Sequence, residues 1–145
     1  MLEYIWQYSK YYGDMLATTK RLYDDEEYYA SIMILFNATE LICKSVRDNY
    51  TGNFANDLKW LNEHGLLNDE DYSFLDGKEN GIRSIRNIMM HRDAYQYCLE
   101  SENGKALPFT ESDTWQLVYD SYAPSIIEIL SKLVRTQLIS ELNLE

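Results

Sequence analysis

The stretch from about Glu26 to Asp48 limits the choice of folds more than any other part of this chain. Ile32, Leu35, Thr39, Ile42 and Val46 recur at spacings of three and four, the period of one buried helix face. Phe36, Asn37, Glu40 and Lys44 form a second stripe, which sets polar side chains into otherwise apolar surroundings. Upstream, Leu2 to about Leu22 reads as a helix with Ile5, Tyr8, Tyr12, Leu16 and Leu22 among its apolar positions. Gly13 weakens its middle without ending it. Asp24-Asp25-Glu26-Glu27 is then a turn, with an acidic N-cap and acids in the first turn of the long helix. So short a connection makes these two helices antiparallel neighbours.

After a loop at residues 49–53, Asn53 caps a short helix from Phe54 to about His64 that buries Phe54, Leu58 and Leu61, with Gly65 just past its end. His64 stands where it serves the helix terminus through the dipole rather than catalysis. Asn68 or Asp69 starts another short helix through Leu75, and Asp76-Gly77 breaks it. An amphipathic segment, Lys78 to Asp93, follows, with Ile82, Ile85 and Met89 on one face. Tyr95 to Thr110 has the weakest pattern; with a turn at 101–105 and Pro108 opposing regular structure, it is a loop or a small hairpin. Thr110 and Asp113 resemble a capping box for a last helix from about Ser112 to Leu142, which Pro124 is expected to kink or split near Tyr122. Ile126, Ile127, Leu130, Leu133, Val134, Leu138 and Leu142 give it the widest apolar face in the chain, enough for the bundle and for a second chain. The expectation is an all-α fold: an antiparallel helical bundle of about five to six helices, with residues 1–145 as one domain.

Composition narrows the class further. Apolar residues make up 46% and charged residues 26%, as in folded rather than disordered chains. The 13 tyrosines point to half-buried seams where a ring packs and its hydroxyl stays wet. Cys43 and Cys98 form no CxxC and have no histidine at ligand spacing, so neither a metal nor a cofactor is expected. Cys43 falls beside Ile42 and reads as a reduced, buried thiol. Glu3 interrupts the start of the chain and the longest apolar run, Ile32 to Phe36, is too short to span a bilayer. A cytoplasmic protein without membrane contact is the expectation.

The formal charge of −11 argues against a sequence-blind nucleic-acid coat. Yet from Lys78 to Arg92 the chain carries Lys78, Arg83, Arg86 and Arg92 against Glu79 alone. That local +3 leaves −14 for the rest, a basic island on an acidic body. Within it, Arg83, Asn87 and His91 recur every four residues, and Arg86 lies about 100° from Asn87 and about 140° from His91 on a straight helix. A long arginine can swing through that angle, so a guanidinium, a carboxamide and an imidazole can converge on one anion. His91, with a reference pKa of about 6.5, is the candidate general acid or base. Arg86 offers a bidentate clamp for phosphate oxygens, and Asn87 can bond the phosphate or fix the imidazole. Arg83, Arg92 and Tyr95 border the same face as candidate substrate contacts. Glu40 admits two readings: an exposed acid paired with Lys44 one turn on, or a residue facing the Arg86 segment and orienting Arg86 or His91. The arginines also admit a purely structural reading, solvating a helix face and pairing with the acidic body.

Arg86-Asn87-Ile88-Met89-Met90-His91 resembles the Arg-x4-His motif of the HEPN family, including the polar residue that commonly follows the arginine. The long antiparallel pair, the Glu40-x3-Lys44 ending of the second helix and the short element before the motif helix are similar to the HEPN arrangement. That resemblance implies a metal-independent endoribonuclease that cuts single-stranded RNA by 2′-OH attack to a cyclic phosphate. It also implies a homodimer whose two motifs line one cleft, and a role as a toxin or anti-phage effector with an antitoxin or nucleotidyltransferase partner. In some members a tyrosine two residues after the histidine is modified with AMP; here that position is Asp93, with tyrosines at Tyr95 and Tyr97. A non-catalytic HEPN domain that binds nucleotides or serves as a protein adaptor is the alternative.

Overall fold

The computed structural model describes residues 2–77, 81–91, 98–100 and 104–143. Among them are seven helices and one two-stranded hairpin, an all-α bundle: α1 Leu2–Tyr8, α2 Lys10–Asp24, α3 Tyr28–Arg47, α4 Phe54–Glu63, α5 Asp69–Asp76, α6 Ile82–His91, β1 Cys98–Glu100, β2 Ala106–Pro108 and α7 Ser112–Asn143.

α3 is the axle. Ile32, Leu35, Ala38, Thr39, Ile42, Cys43 and Val46 are all buried, and Phe36 on its flank is too. It has the length and mean hydropathy of a membrane span, and here that apolar surface is spent on the core. α2 crosses it closely because small polar side chains meet at the contact: Ser31 donates to the Thr19 carbonyl at 2.7 Å, and Thr19 donates to Leu16 O at 2.6 Å. With only residues 25–27 between them, the two helices are antiparallel. α7 runs the other way from α2 and alongside α3. Its start meets the start of α3 through Trp115 and Tyr29, with ring centroids 5.1 Å apart. Its far end brings the Glu141 charge near Tyr8, whose hydroxyl shares a 2.6 Å hydrogen bond with Ser45 at the end of α3.

The tyrosines fill these seams. Tyr23 stacks on Tyr119 at 4.4 Å and meets Tyr28 edge-on at 5.2 Å. Its hydroxyl donates to Asp120 Oδ1 at 2.6 Å, and that bond raises its pKa above the ordinary tyrosine value.

Three expectations are corrected by the structure. The first helix breaks at Ser9, not merely softened at Gly13: Ser9 is extended (φ −157°, ψ 119°) and its side chain accepts from Tyr12 N at 3.4 Å, capping α2. The break folds Trp6 back over Gly13, where an added Cβ would lie 2.0 Å from the ring. Pro124 does not split α7, which runs as one helix from Ser112 to Asn143. Both Pro124 and Asp120, whose carbonyl loses its helical donor, face solvent, so water can satisfy the freed oxygen. And α7 begins at Ser112, which leaves Thr110 outside its cap. The tie there is Thr114, whose hydroxyl donates to Pro108 O at 2.6 Å. The weak segment takes the hairpin form, with Leu99 opposite Leu107 and Pro108 at the end of its strand.

The short helices follow the expected signals. Asn53 accepts from Asn56 N at 2.8 Å and Asn68 from Asp71 N at 2.7 Å. Gly65 takes φ +74°, and His64 stacks on Trp60 with Nδ1 2.9 Å from the Trp60 carbonyl, a helix-end role. α6 buries Ile82, Ile85 and Met89 against the core.

Because Pro124 is exposed, its removal tests the account of α7. Pro124→Ala restores one helical donor and a better helix former, against a smaller loss from a freer unfolded chain. Urea denaturation is expected to show a gain of about 2 kcal/mol; a lower midpoint would mean that packing requires the proline.

Candidate functional site

On α3, Met33, Asn37, Glu40 and Lys44 follow one another at spacings of four, three and four, a single stripe that faces α6 and α4. Glu40 meets Arg86 of α6 in an ion pair, with both side chains mostly withdrawn from solvent. Its second partner, Lys44, is 3.8 Å away. Both sequence readings of Glu40 therefore describe part of its surroundings, but Glu40 is not exposed and Arg86 is the closer cation.

Lys44 leans the other way. Its Nζ lies 2.5 Å from Asp57 Oδ2 and 2.5 Å from the Gly52 carbonyl. Asp57, on α4, is 0% exposed and takes a second bond from Arg47 at 2.9 Å; Arg47 in turn lies over the Trp60 ring at 5.8 Å. The result is a row of alternating charge, Arg86–Glu40–Lys44–Asp57–Arg47, with three cations and two carboxylates. The row carries one surplus positive charge, with an arginine at each end.

Arg86 is fixed from three sides. Besides Glu40 it reaches the Asn87 side-chain oxygen at 3.4 Å, and its guanidinium stands 5.9 Å from the Phe54 ring. A guanidinium has five N–H donors, so these contacts leave donors for an anion. Next to it the seam between α3 and α6 opens into a cavity of about 310 Å³ lined by Met33, Ile34, Phe36, Asn37, Arg86 and Met89.

Of the site residues expected from sequence, the structure thus gathers Glu40, Arg86 and Asn87. Arg83 is drawn elsewhere: its Nε is 2.5 Å from Asp76 Oδ1, at the end of α5. His91 is the last residue of α6, one turn beyond Asn87, and its side chain lies outside the described residues, as do Arg92 and Tyr95. Among the described residues, no three His, Cys, Asp or Glu side chains gather as metal ligands would. Burial pushes the Cys43 thiol far above its ordinary value, and the charges of Asp57 and Glu40 add to the shift.

Sequence reasoning missed Asp57 and the Met33 wall. The signal for Asp57 was present: it stands three residues after Phe54 and four before Leu61, on the apolar stripe of its helix. An acid in that phase implies a buried partner. Compared with protein-family models, curated proteins and solved structures, the chain finds no match.

Two measurements check this geometry. Asp57→Ala leaves Lys44 and Arg47 with one carboxylate fewer in a buried place, and should cost about 3–5 kcal/mol of stability in urea. A thiol reagent at pH 8 should modify the exposed Cys98 readily and reach Cys43 only on unfolding, because the buried thiol stays protonated.

Proposed function

We propose that this chain is a metal-independent endoribonuclease of the HEPN type, a toxin or anti-phage effector that acts in the cytoplasm as a homodimer. The observation that supports the reading is the placement of Arg86: the guanidinium is braced by Glu40 and Asn87, at the end of a charge row with one positive charge to spare. A cation held in that way is ready for an anion at low reorganisation cost.

In the proposed reaction a base takes the proton of the ribose 2′-OH. The 2′ oxygen forms a bond to phosphorus while the bond from phosphorus to the 5′ oxygen breaks, and an acid protonates the departing oxygen. The products are a 2′,3′-cyclic phosphate and a 5′-hydroxyl. Arg86 would bind the phosphate oxygens as negative charge builds on them, with Glu40 setting the plane of the fork. His91 would carry the proton, and Asn87 would bond the phosphate or hold the imidazole. One histidine serves both ends of the reaction poorly, so a second copy supplying its own His91 completes the scheme. Tyr95 and Arg92 would border the cleft, and Arg83, spent on Asp76, would act on α6 rather than on RNA. An antitoxin, either a simple binder or a nucleotidyltransferase, would restrain the activity in the cell.

A second reading is favoured by one specific observation. Glu40 already neutralises Arg86, as it would in a non-catalytic HEPN domain that binds nucleotides or serves as an adaptor.

The two are separated by incubating wild type and His91→Ala, purified identically, with a mixed RNA pool in EDTA. Wild type should cut single-stranded RNA, leave DNA untouched for want of a 2′-OH, and lose roughly 10²–10⁴-fold in rate on His91→Ala. Arg86→Ala should lose nearly as much and still fold, because Lys44 remains beside Glu40; Arg86→Lys should rescue poorly. Equal cleavage by wild type and His91→Ala would mean contamination, and intact RNA with both would favour the binding domain. Light scattering at micromolar concentration should return about twice the 17.1 kDa chain mass, and a clean monomer would sink the shared-site scheme.

A further inference from the structure

The cavity beside Arg86 has a character that phosphate binding alone does not explain. Met33, Ile34, Phe36 and Met89 make its walls apolar, one guanidinium stands at its edge, and Asn37 contributes an exposed carboxamide. Among the described residues that carboxamide has no hydrogen-bond partner. Phosphate needs none of the apolar wall. A volume of about 310 Å³ is at the small end of ligand pockets, which run from roughly 300 to 1,000 Å³, so it suits one ring system rather than an extended segment.

We infer that this cavity receives one unstacked nucleobase, adjacent to the phosphate held by Arg86, and that Asn37 reads the edge of that base. The inference rests on the ribonuclease reading of Arg86 and names what selects its substrate. Each wall has a use on this account. Methionine thioethers pack well against aromatic faces and adapt to rings of different size. A guanidinium can bond a phosphate and lie against a base plane at once. A carboxamide offers a donor and an acceptor side by side, the pattern that pairs with a base edge. A fatty chain would leave the Asn37 amide without a role, and a free anion would leave the apolar walls without one. The stripe geometry fits as well. Asn37 is one turn before Glu40, so the base and the phosphate would lie one helical turn apart along α3, with Glu40 hidden behind Arg86. Single-stranded RNA can present such a splayed base where a duplex cannot.

The test uses the whole chain with 13C-labelled methionine methyl groups, assigned through Met33→Leu and Met89→Leu. Inorganic phosphate and the four nucleoside 3′-monophosphates, none of which can be cleaved, are titrated in turn. At least one nucleotide should shift the Met33 and Met89 methyls upfield by ring current, and phosphate should leave both in place. Dissociation constants across the four bases should spread by about tenfold or more, and Asn37→Ala, at an exposed position, should compress that spread to within about twofold. Unmoved Met33 and Met89 methyls at saturating nucleotide would overturn the proposal, and so would a base preference that Asn37→Ala leaves intact. Because binding is read without turnover, the two ideas fail separately. His91-dependent cleavage with silent methyls removes the base pocket, whereas shifted methyls with intact RNA remove the ribonuclease.

Discussion

A carboxylate with no access to water has to be surrounded by cations and donors, and Asp57 obtains them from α3. Lys44 and Arg47 sit three residues apart near the end of that helix, so one buried acid on α4 fixes where α4 crosses α3. Lys44 also holds the Gly52 carbonyl, which sets the loop between them. The placement of α5 and α6 follows from that crossing. α4 carries α5 through the tight turn at Gly65, and α5 delivers α6 to the open flank of α3. Were Asp57 an apolar residue, α4 would still bury Phe54, Leu58 and Leu61, but Lys44 and Arg47 would lose their shared counter-charge in a buried place.

The same constraint reaches the candidate site. Lys44 lies closer to Asp57 than to Glu40, so it neutralises the row's first acid only in part and leaves Glu40 to Arg86. Among its described side chains α6 buries Ile82, Ile85 and Met89, and apolar contact alone tolerates sliding. The Glu40–Arg86 pair supplies the missing register, as does Arg83 with Asp76 at the other end of the helix. Each arginine of α6 thus anchors to a different neighbour, and the one facing α3 borders the cavity lined by Met33 and Met89.

How far the sequence revealed this can be argued residue by residue. The α3 stripe was legible because burial repeats along one helix face, and the α4 and α5 caps were legible because Asn53 and Asn68 act locally. The break at Ser9 was passed over: Ser9 is a local cap of the same kind, but it stands inside an apolar pattern that runs on through Leu22, and the contact of Trp6 with Gly13, seven residues on, is recorded by no periodicity. Pro124 misled for the opposite reason. Its cost in a helix is intrinsic, but whether the helix breaks depends on which side faces water, and that is set by α7's packing. In the site, Arg86 and Asn87 were visible as chemistry, and Glu40 as a polar residue in apolar surroundings. The Arg86–Glu40 pairing and the apolar wall at Met33 and Met89 arise only when α3 and α6 meet.

The basic island counted along the sequence is smaller in space. Both described arginines within it are paired with acids, so little of their charge is left to project into solvent. At physiological salt, attraction and repulsion between exposed charges both fade over about 8 Å, so within that range the paired arginines offer little to set against the body's net charge of −11. On the proposed reading, an RNA strand would gain little from long-range attraction to such a body. Among the described residues, the island's positive charge that borders a cavity is that of Arg86, at the end of a mostly buried row and next to an apolar recess. Under that balance, generic phosphate attraction contributes little, and a strand gains enough to stay only if it also fits the recess. On the proposed ribonuclease reading, selectivity and a weak hold on bulk RNA would share one cause, the pairing of Arg83 and Arg86 with acids that keeps them from drawing RNA in.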